Sequence, residues 1–217
     1  MAKANLRIIS FAGVKHADIP YYMAKLLAIG RRNVLIVDNS EQHDLYQSIY
    51  KKHEMDIVNV GNITYIKDIA WSPESFEKFE VVIIYHGEEI DRDIWENSTN
   101  RFLLMNTDRF DMERVRAGIP EGSAPFVILM VDVYYGKIKA KDIPAFLNIS
   151  DSMVNGIESL PFDEKDAAAL EAFQFNGIQR VRDTSDSMKE FLLDIYKHLG
   201  GSDMKMRNFK EFIAAAN

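Results

Sequence analysis

Short blocks in which nearly every residue is apolar alternate along this chain with stretches whose apolar positions recur at helical spacing. Residues 6–12 (LRIISFA) and 33–37 (NVLIV) have the look of strands buried on both faces of a sheet. Between them Tyr22, Met23, Leu26 and Leu27 share one face of a helix. Gly13 punctuates the first strand, Pro20 suits a first helical turn, and Gly30 is a plausible stop. A strand–helix–strand unit this short predicts a right-handed crossover between parallel strands.

The alternation continues to residue 199. A surface helix is predicted over 41–53, with Leu45, Tyr46 and Ile49 facing inward. Strands follow at 56–60 and 62–66, joined by a Gly-Asn turn, and then a helical turn at 72–74 with Ser72 as its candidate cap. Residues 79–85 (FEVVIIY) are the most apolar run and predict a central strand. Beyond it come a helix at 91–96, a strand at 101–105, a helix at 111–117 and a strand at 125–133. A helix at 140–147, interrupted near Pro144, precedes the last strand at 156–160 and helices at 164–173 and 184–199. Strands alternating with helices predict an α/β fold: a doubly wound, mostly parallel sheet with helices on both faces. The expected organisation is one domain over residues 1–202 and a short amphipathic tail over 203–217. Ligands of such sheets bind at the carboxyl ends of the strands. Here those ends carry His16, Asp18, Asp38, His86, Glu88, Glu89 and Asp132.

Composition narrows the function classes. The 217 residues are 47% hydrophobic, enough for a full core. No apolar run reaches the roughly 18 residues of a membrane span, and the first residues lack a secretory pattern. The absence of cysteine excludes disulfides and thiolate metal sites and suits a cytoplasmic location. A net charge of −7 provides no general basic face for phosphate backbones, so no nucleic-acid partner is expected.

Several segments carry a family resemblance. Leu26-Leu27-Ala28 ends the first helix and Val34-Leu35-Ile36-Val37-Asp38 forms the second strand, as in the first unit of ParA/MinD-like, deviant-Walker P-loop ATPases (SIMIBI class). Residues 139–143 (KAKDI) and 160–166 (LPFDEKD) resemble that family's segments around its last strand. The chain resembles this family, including its TadZ relatives, over roughly residues 5–199. Aligned without gaps from Leu27-Ala28, Lys15 falls on the family's signature lysine, Pro20 on its phosphate lysine and Tyr21 on its magnesium-binding threonine. Tyr85 or His86 stands where the Walker B aspartate belongs.

The resemblance implies a P-loop NTPase-like fold, and the residues argue against the usual activity. A phosphate cradle needs bare backbone N–H groups at a helix N-terminus. Ala17, Asp18 and Ile19 add side chains there, Pro20 removes a donor, and Asp18 adds a negative charge. Lys15, His16, Asp18, Pro20 and Tyr21 thus form a degenerate nucleotide loop, with Asp38 and Asp132 as further candidates. Asp132 lies where relatives place an asparagine beside adenine, and Asp38 is equally suited to capping the next helix. No catalytic residue, cofactor or metal is expected, although His16, Asp18, His86 and Glu88 have side chains suited to zinc or manganese.

Protein partners and a homodimer are the expected associations. Tyr21, Tyr22, Tyr134 and Tyr135 either fill the vacated pocket or, at Tyr134 and Tyr135, face a partner. In the tail, Met206, Phe209 and Ile213 share a helical face ringed by Lys205, Arg207 and Lys210. That face can pack on the body, enter a partner's groove through Phe209 and Ile213, or bind a membrane surface weakly. The resulting expectation is a catalytically inactive ParA/MinD-like pseudo-ATPase, positioning or assembling pilus, secretion, conjugation or partition machinery. The alternatives are an atypical ATPase or GTPase with a remodelled phosphate loop, and a small-molecule sensor using the vacated pocket.

Overall fold

The computed structural model describes residues 6–14, 16–29, 33–49, 56–69, 72–134, 139–176, 180–200 and 206–215. Its strands are β1 (Arg7–Gly13), β2 (Val34–Asp38), β3 (Ile57–Val60), β4 (Ile63–Lys67), β5 (Val81–Tyr85), β6 (Asn100–Met105), β7 (Phe126–Val133) and β8 (Val154–Pro161). Its helices are α1 (Asp18–Leu27), α2 (Asp44–Ser48), α3 (Arg92–Asn97), α4 (Arg109–Gly118), α5 (Ile143–Leu147), α6 (Glu164–Asn176), α7 (Asp186–His198) and α8 (Met206–Ala215). One eight-stranded sheet runs in the order β3-β4-β2-β5-β1-β6-β7-β8. All pairs are parallel except the β3–β4 hairpin at one edge.

The near-continuous apolar runs of β1, β2 and β5 are explained by burial on both faces. Ile9, Phe11, Ile36 and Ile83 face the larger core, which includes α1, α6 and α7. Ile8, Leu35, Val37, Val82 and Ile84 alternate with them and face the smaller core, which takes Phe76 and Ile94. Strand β1 sits between β5 and β6, where the chain reverses its direction across the sheet. That reversal opens the crevice in which doubly wound sheets hold ligands, beyond the carboxyl ends of their strands.

Three local expectations change. Helix α2 is short and begins after His43 in left-handed backbone (φ 52°), while residues 50–55 of the expected helix lie outside the described set. Ser72 caps nothing; its hydroxyl donates to the Glu74 carboxylate at 2.6 Å. Pro144 does not interrupt a helix but sits in the first turn of α5, where a missing N–H costs little. Phe209 and Ile213 of α8 are buried in the larger core, so α8 packs on the body, one of the three destinations its apolar face allows. Gly30 lies outside the described residues. Among the described residues no helix is long and apolar enough to cross a membrane.

Candidate ligand site at the carboxyl ends of the central strands

The site begins where β1 stops. Gly13 has a φ of +120° and its amide donates to the Gly87 carbonyl at 2.6 Å. A Cβ there would stand 2.0 Å from the Leu104 carbonyl oxygen, so only glycine lets β1 pass this close to β6. The chain turns at once, with the His16 amide donating to the Val14 carbonyl at 2.8 Å, and enters α1 through Ala17. Ala17 supplies no capping side chain; Asp18 in the first turn complements the helix dipole instead. Lys15 lies outside the described residues.

His16, Asp18 and Asp132 come together although Asp132 is 116 residues away from His16. His16 is buried, and its Nε2 donates to Asp132 Oδ2 at 3.1 Å. Its Nδ1 stands 3.4 Å from Asp18 Oδ1, a charge contact without hydrogen-bond geometry. Burial opposes the charged imidazole, but the bond to Asp132 and the contact with Asp18 outweigh it and raise its pKa to about 10. His16 is therefore an imidazolium at neutral pH. Asp132 reaches it from a left-handed backbone conformation (φ 51°), beside an irregularity where β7 meets β8. A non-glycine residue held there is strained, and such strain concentrates at functional sites.

A cavity of about 170 Å³ adjoins these three residues. Its walls include Leu160, Leu170 and Met188, with Asp166 and Glu171 contributed by α6. Asp166 is already engaged: its two oxygens accept from the Ser185 amide (2.7 Å) and hydroxyl (2.5 Å). Ser185 in turn caps α7 through the Met188 amide. Burial pushes the Asp166 carboxyl up against the lowering effect of these bonds.

Pro20 and Tyr21, which the family resemblance aligns with a phosphate lysine and a magnesium threonine, are buried in the core. Pro20 is the third residue of α1 and is buried. Tyr21 packs on Phe173 of α6 at a ring distance of 4.8 Å and on Tyr22 at 5.9 Å. Tyr22 is fully buried, its hydroxyl has no hydrogen-bond partner, and burial drives that hydroxyl's pKa far up. Asp38 acts as a distant cap: its oxygens accept from Ser40 (amide 3.0 Å, hydroxyl 2.6 Å) and from the Tyr46 amide in α2 (2.7 Å). Burial nevertheless pushes the Asp38 carboxyl above its usual range.

The structure does not gather His16, Asp18, His86 and Glu88 around one point. His86, at the end of β5, is fully buried, and burial holds its pKa down at about 4. Its Nδ1 accepts from the Asp91 amide (3.3 Å), so Nε2 carries the proton and donates to Ser10 Oγ at 3.0 Å. Ser10 then donates to Ser98 Oγ (2.7 Å), and Ser98 to the Ile94 carbonyl (2.8 Å). This internal chain satisfies every member. The isolated Ser10 within an apolar strand was its only sequence signal. Glu88 pairs with Arg114 at 3.1 Å beside a second cavity of about 200 Å³, which Gly13, Glu41, Asp44 and Glu89 also line. Among the described residues no group of three or more histidines and carboxylates is placed to hold a metal ion.

The remaining candidates divide. Tyr134 is exposed just beyond β7 and stacks on Phe162 at 4.8 Å, whereas Tyr135 lies outside the described residues. Phe209 and Ile213 are buried, with Tyr196 against Phe209 at 6.2 Å, so neither presents a free surface.

The chain matches no protein-family model and no curated protein. Solved structures do match. A ParA family ATPase from Chlorobium tepidum TLS superposes with a TM-score of 0.66 at 14% identity, covering 89% of this chain and 98% of that one. The MinD cell division protein of Aquifex aeolicus gives 0.64 at 15% identity, covering 92% and 98%. Apo McdA from Cyanthece gives 0.63 at 14%, covering 90% and 100%. The architecture is thus that of the P-loop NTPase-like α/β proteins. Within that class the chain shares the ParA/MinD fold over nearly its whole length.

Proposed function

We infer that the chain is a ParA/MinD-like pseudo-ATPase that acts as a nucleotide-independent positioning or assembly component. The observation that carries this reading is the fate of Pro20 and Tyr21. At the positions that should meet phosphate and magnesium, the chain has a ring without an N–H and an aromatic side chain packed on Phe173. Electrostatics supports the same reading. Asp18, Asp132 and Glu171 face one cavity against a single imidazolium, and Glu41, Asp44, Glu88 and Glu89 face the other against Arg114. A triphosphate entering either place meets like charge in a partly desolvated setting. Without a nucleotide to gate it, the rim beyond the strands works as a constitutive recognition surface, with the exposed Tyr134–Phe162 pair as its aromatic feature. The clients that fit the family resemblance are pilus, secretion, conjugation or partition assemblies.

A thermal-shift titration with Mg-ATP, Mg-GTP and their diphosphates tests this. No displacement of Tm at sub-millimolar nucleotide is expected, and no phosphate release. A saturable rise in Tm with turnover would instead assign the chain to the atypical ATPases or GTPases. Light scattering without ligand then reads its assembly: a nucleotide-free homodimer supports the scaffold reading, and a monomer counts against it.

A further inference from the structure

We propose that the cavity at the carboxyl ends of β1 and β5 binds a guanidinium group. Three observations converge. The first is an unpartnered hydroxyl. Tyr85 ends β5, is only 1% exposed and lines this cavity of about 200 Å³. Its hydroxyl bonds to no described residue, yet it is not sealed inside the protein as the Tyr22 hydroxyl is. It therefore opens onto the cavity, and a polar atom of so buried a side chain calls for a partner. Burial, with Asp44 the largest of the neighbouring charges, drives its pKa up and keeps it a neutral hydroxyl. The second observation is unanswered charge. Glu41, Asp44 and Glu89 line the same cavity, and no described residue bonds to their carboxylates. The third is a precedent at the rim: the cation already present there is a guanidinium, that of Arg114, paired with Glu88 at 3.1 Å.

That combination selects among ligands. An anion is repelled by three unpaired carboxylates. Among the described residues no group of three or more histidines and carboxylates is placed to hold a metal ion. An ammonium is a compact, strongly hydrated charge with three donors. A guanidinium is planar, sheds water more readily and spreads five N–H donors. It can therefore serve the Tyr85 oxygen and carboxylates on different walls at once, Glu41 and Asp44 lying after β2 and Glu89 after β5. The group can belong to a free guanidine or to the arginine of a protein partner. This site goes beyond the positioning function and does not rest on it: a nucleotide-driven rise in Tm would overturn that function, whereas guanidinium binding is read separately by calorimetry.

The test is calorimetry on the full chain at pH 7 and low salt, with four probes: butylguanidinium, butylammonium, butyrate and an arginine blocked at both ends. Saturable binding of butylguanidinium is expected, several-fold tighter than that of butylammonium, with none for butyrate. Tyr85→Phe deletes only the unpartnered hydroxyl, so it should not lower Tm, yet it should weaken butylguanidinium about tenfold. Glu89→Gln, at an exposed position, should weaken it about threefold. Equal or tighter binding of the blocked arginine supports the site with a protein partner as the source, and weaker binding supports it with a free guanidine. No saturable binding of either guanidinium probe up to about 10 mM overturns the proposal. So does binding of butyrate, equal affinity for butylammonium, or an affinity unchanged in Tyr85→Phe.

Discussion

Two histidines near the ends of neighbouring strands titrate in opposite directions because their surroundings differ. His16 faces two carboxylates and is raised to about 10; His86 is fully buried against the Ser10 hydroxyl and the Asp91 amide, and that burial holds it at about 4. In the unfolded chain both return to about 6.5. For His16 the folded pKa is the higher one. Its stabilisation is therefore complete below pH 6.5 and is lost as pH rises towards about 10. Urea midpoints should fall over that interval, and His16→Gln should flatten the decline. At pH 7 the same substitution should cost about 3 kcal/mol, because Asp18 remains buried with no cation beside it. For His86 the folded pKa is the lower one. Protons then favour the unfolded chain as pH falls from 6.5 towards about 4, and stability drops. Asp38 and Asp166, pushed up by burial, act in the opposite sense at acid pH. The contribution of His86 is therefore read as the slope difference between the natural chain and His86→Gln. A difference of zero would mean that folding leaves the His86 pKa at its unfolded value.

At the scale of elements, the strands were legible because a strand buried on both faces leaves nearly every position apolar, as residues 81–85 do. Helix α2 was not, because its start depends on a left-handed turn at His43 and on a cap from Asp38, six residues before the helix begins. The pairing of His16 with Asp132 was also hidden. It requires the sheet order and the irregular backbone at the end of β7, neither of which leaves a local sequence pattern. The close approach of β1 to β6 is the most demanding element contact. Gly13→Ala should cost more than about 2 kcal/mol in urea unfolding, since backbone rather than a flexible side chain must move. Helix α8 provides the complementary case. Its apolar stripe was legible, but its destination was not, because a stripe fits a body, a groove or a membrane equally well. With Phe209 fully buried against Tyr196, Phe209→Ala should cost about 3 kcal/mol. Liposome flotation should be unchanged by it; binding that disappears with the substitution would mean that α8 leaves the body for the membrane.

For the molecule as a whole, the proposed pseudo-ATPase role has two versions: a nucleotide site that is two substitutions away, or one that has been built out of the fold. In the latter case, restoring the missing side chains does not restore the site. Tyr21 joins α1 to α6 through Phe173, and the neighbouring Tyr22 is fully buried in the core. Replacing Pro20 with Lys and Tyr21 with Thr would supply the two groups that a P-loop uses. It would also open a void between the helices, at a cost of about 3 kcal/mol. The surrounding field would remain: Asp18 at the helix start, Asp132 on His16, and carboxylates around both cavities. A lysine introduced there has carboxylates to pair with before any phosphate arrives. The double variant should therefore melt earlier than the natural chain, show no Tm rise with Mg-ATP, and release no phosphate. Adding Asp18→Gly and His16→Gly to the pair should be the first combination to produce a nucleotide-dependent Tm shift, because it removes the charge and bares the backbone amides. If the double variant alone binds Mg-ATP, the acidic surroundings are not the barrier, and the pseudo-ATPase reading reduces to the loss of two side chains.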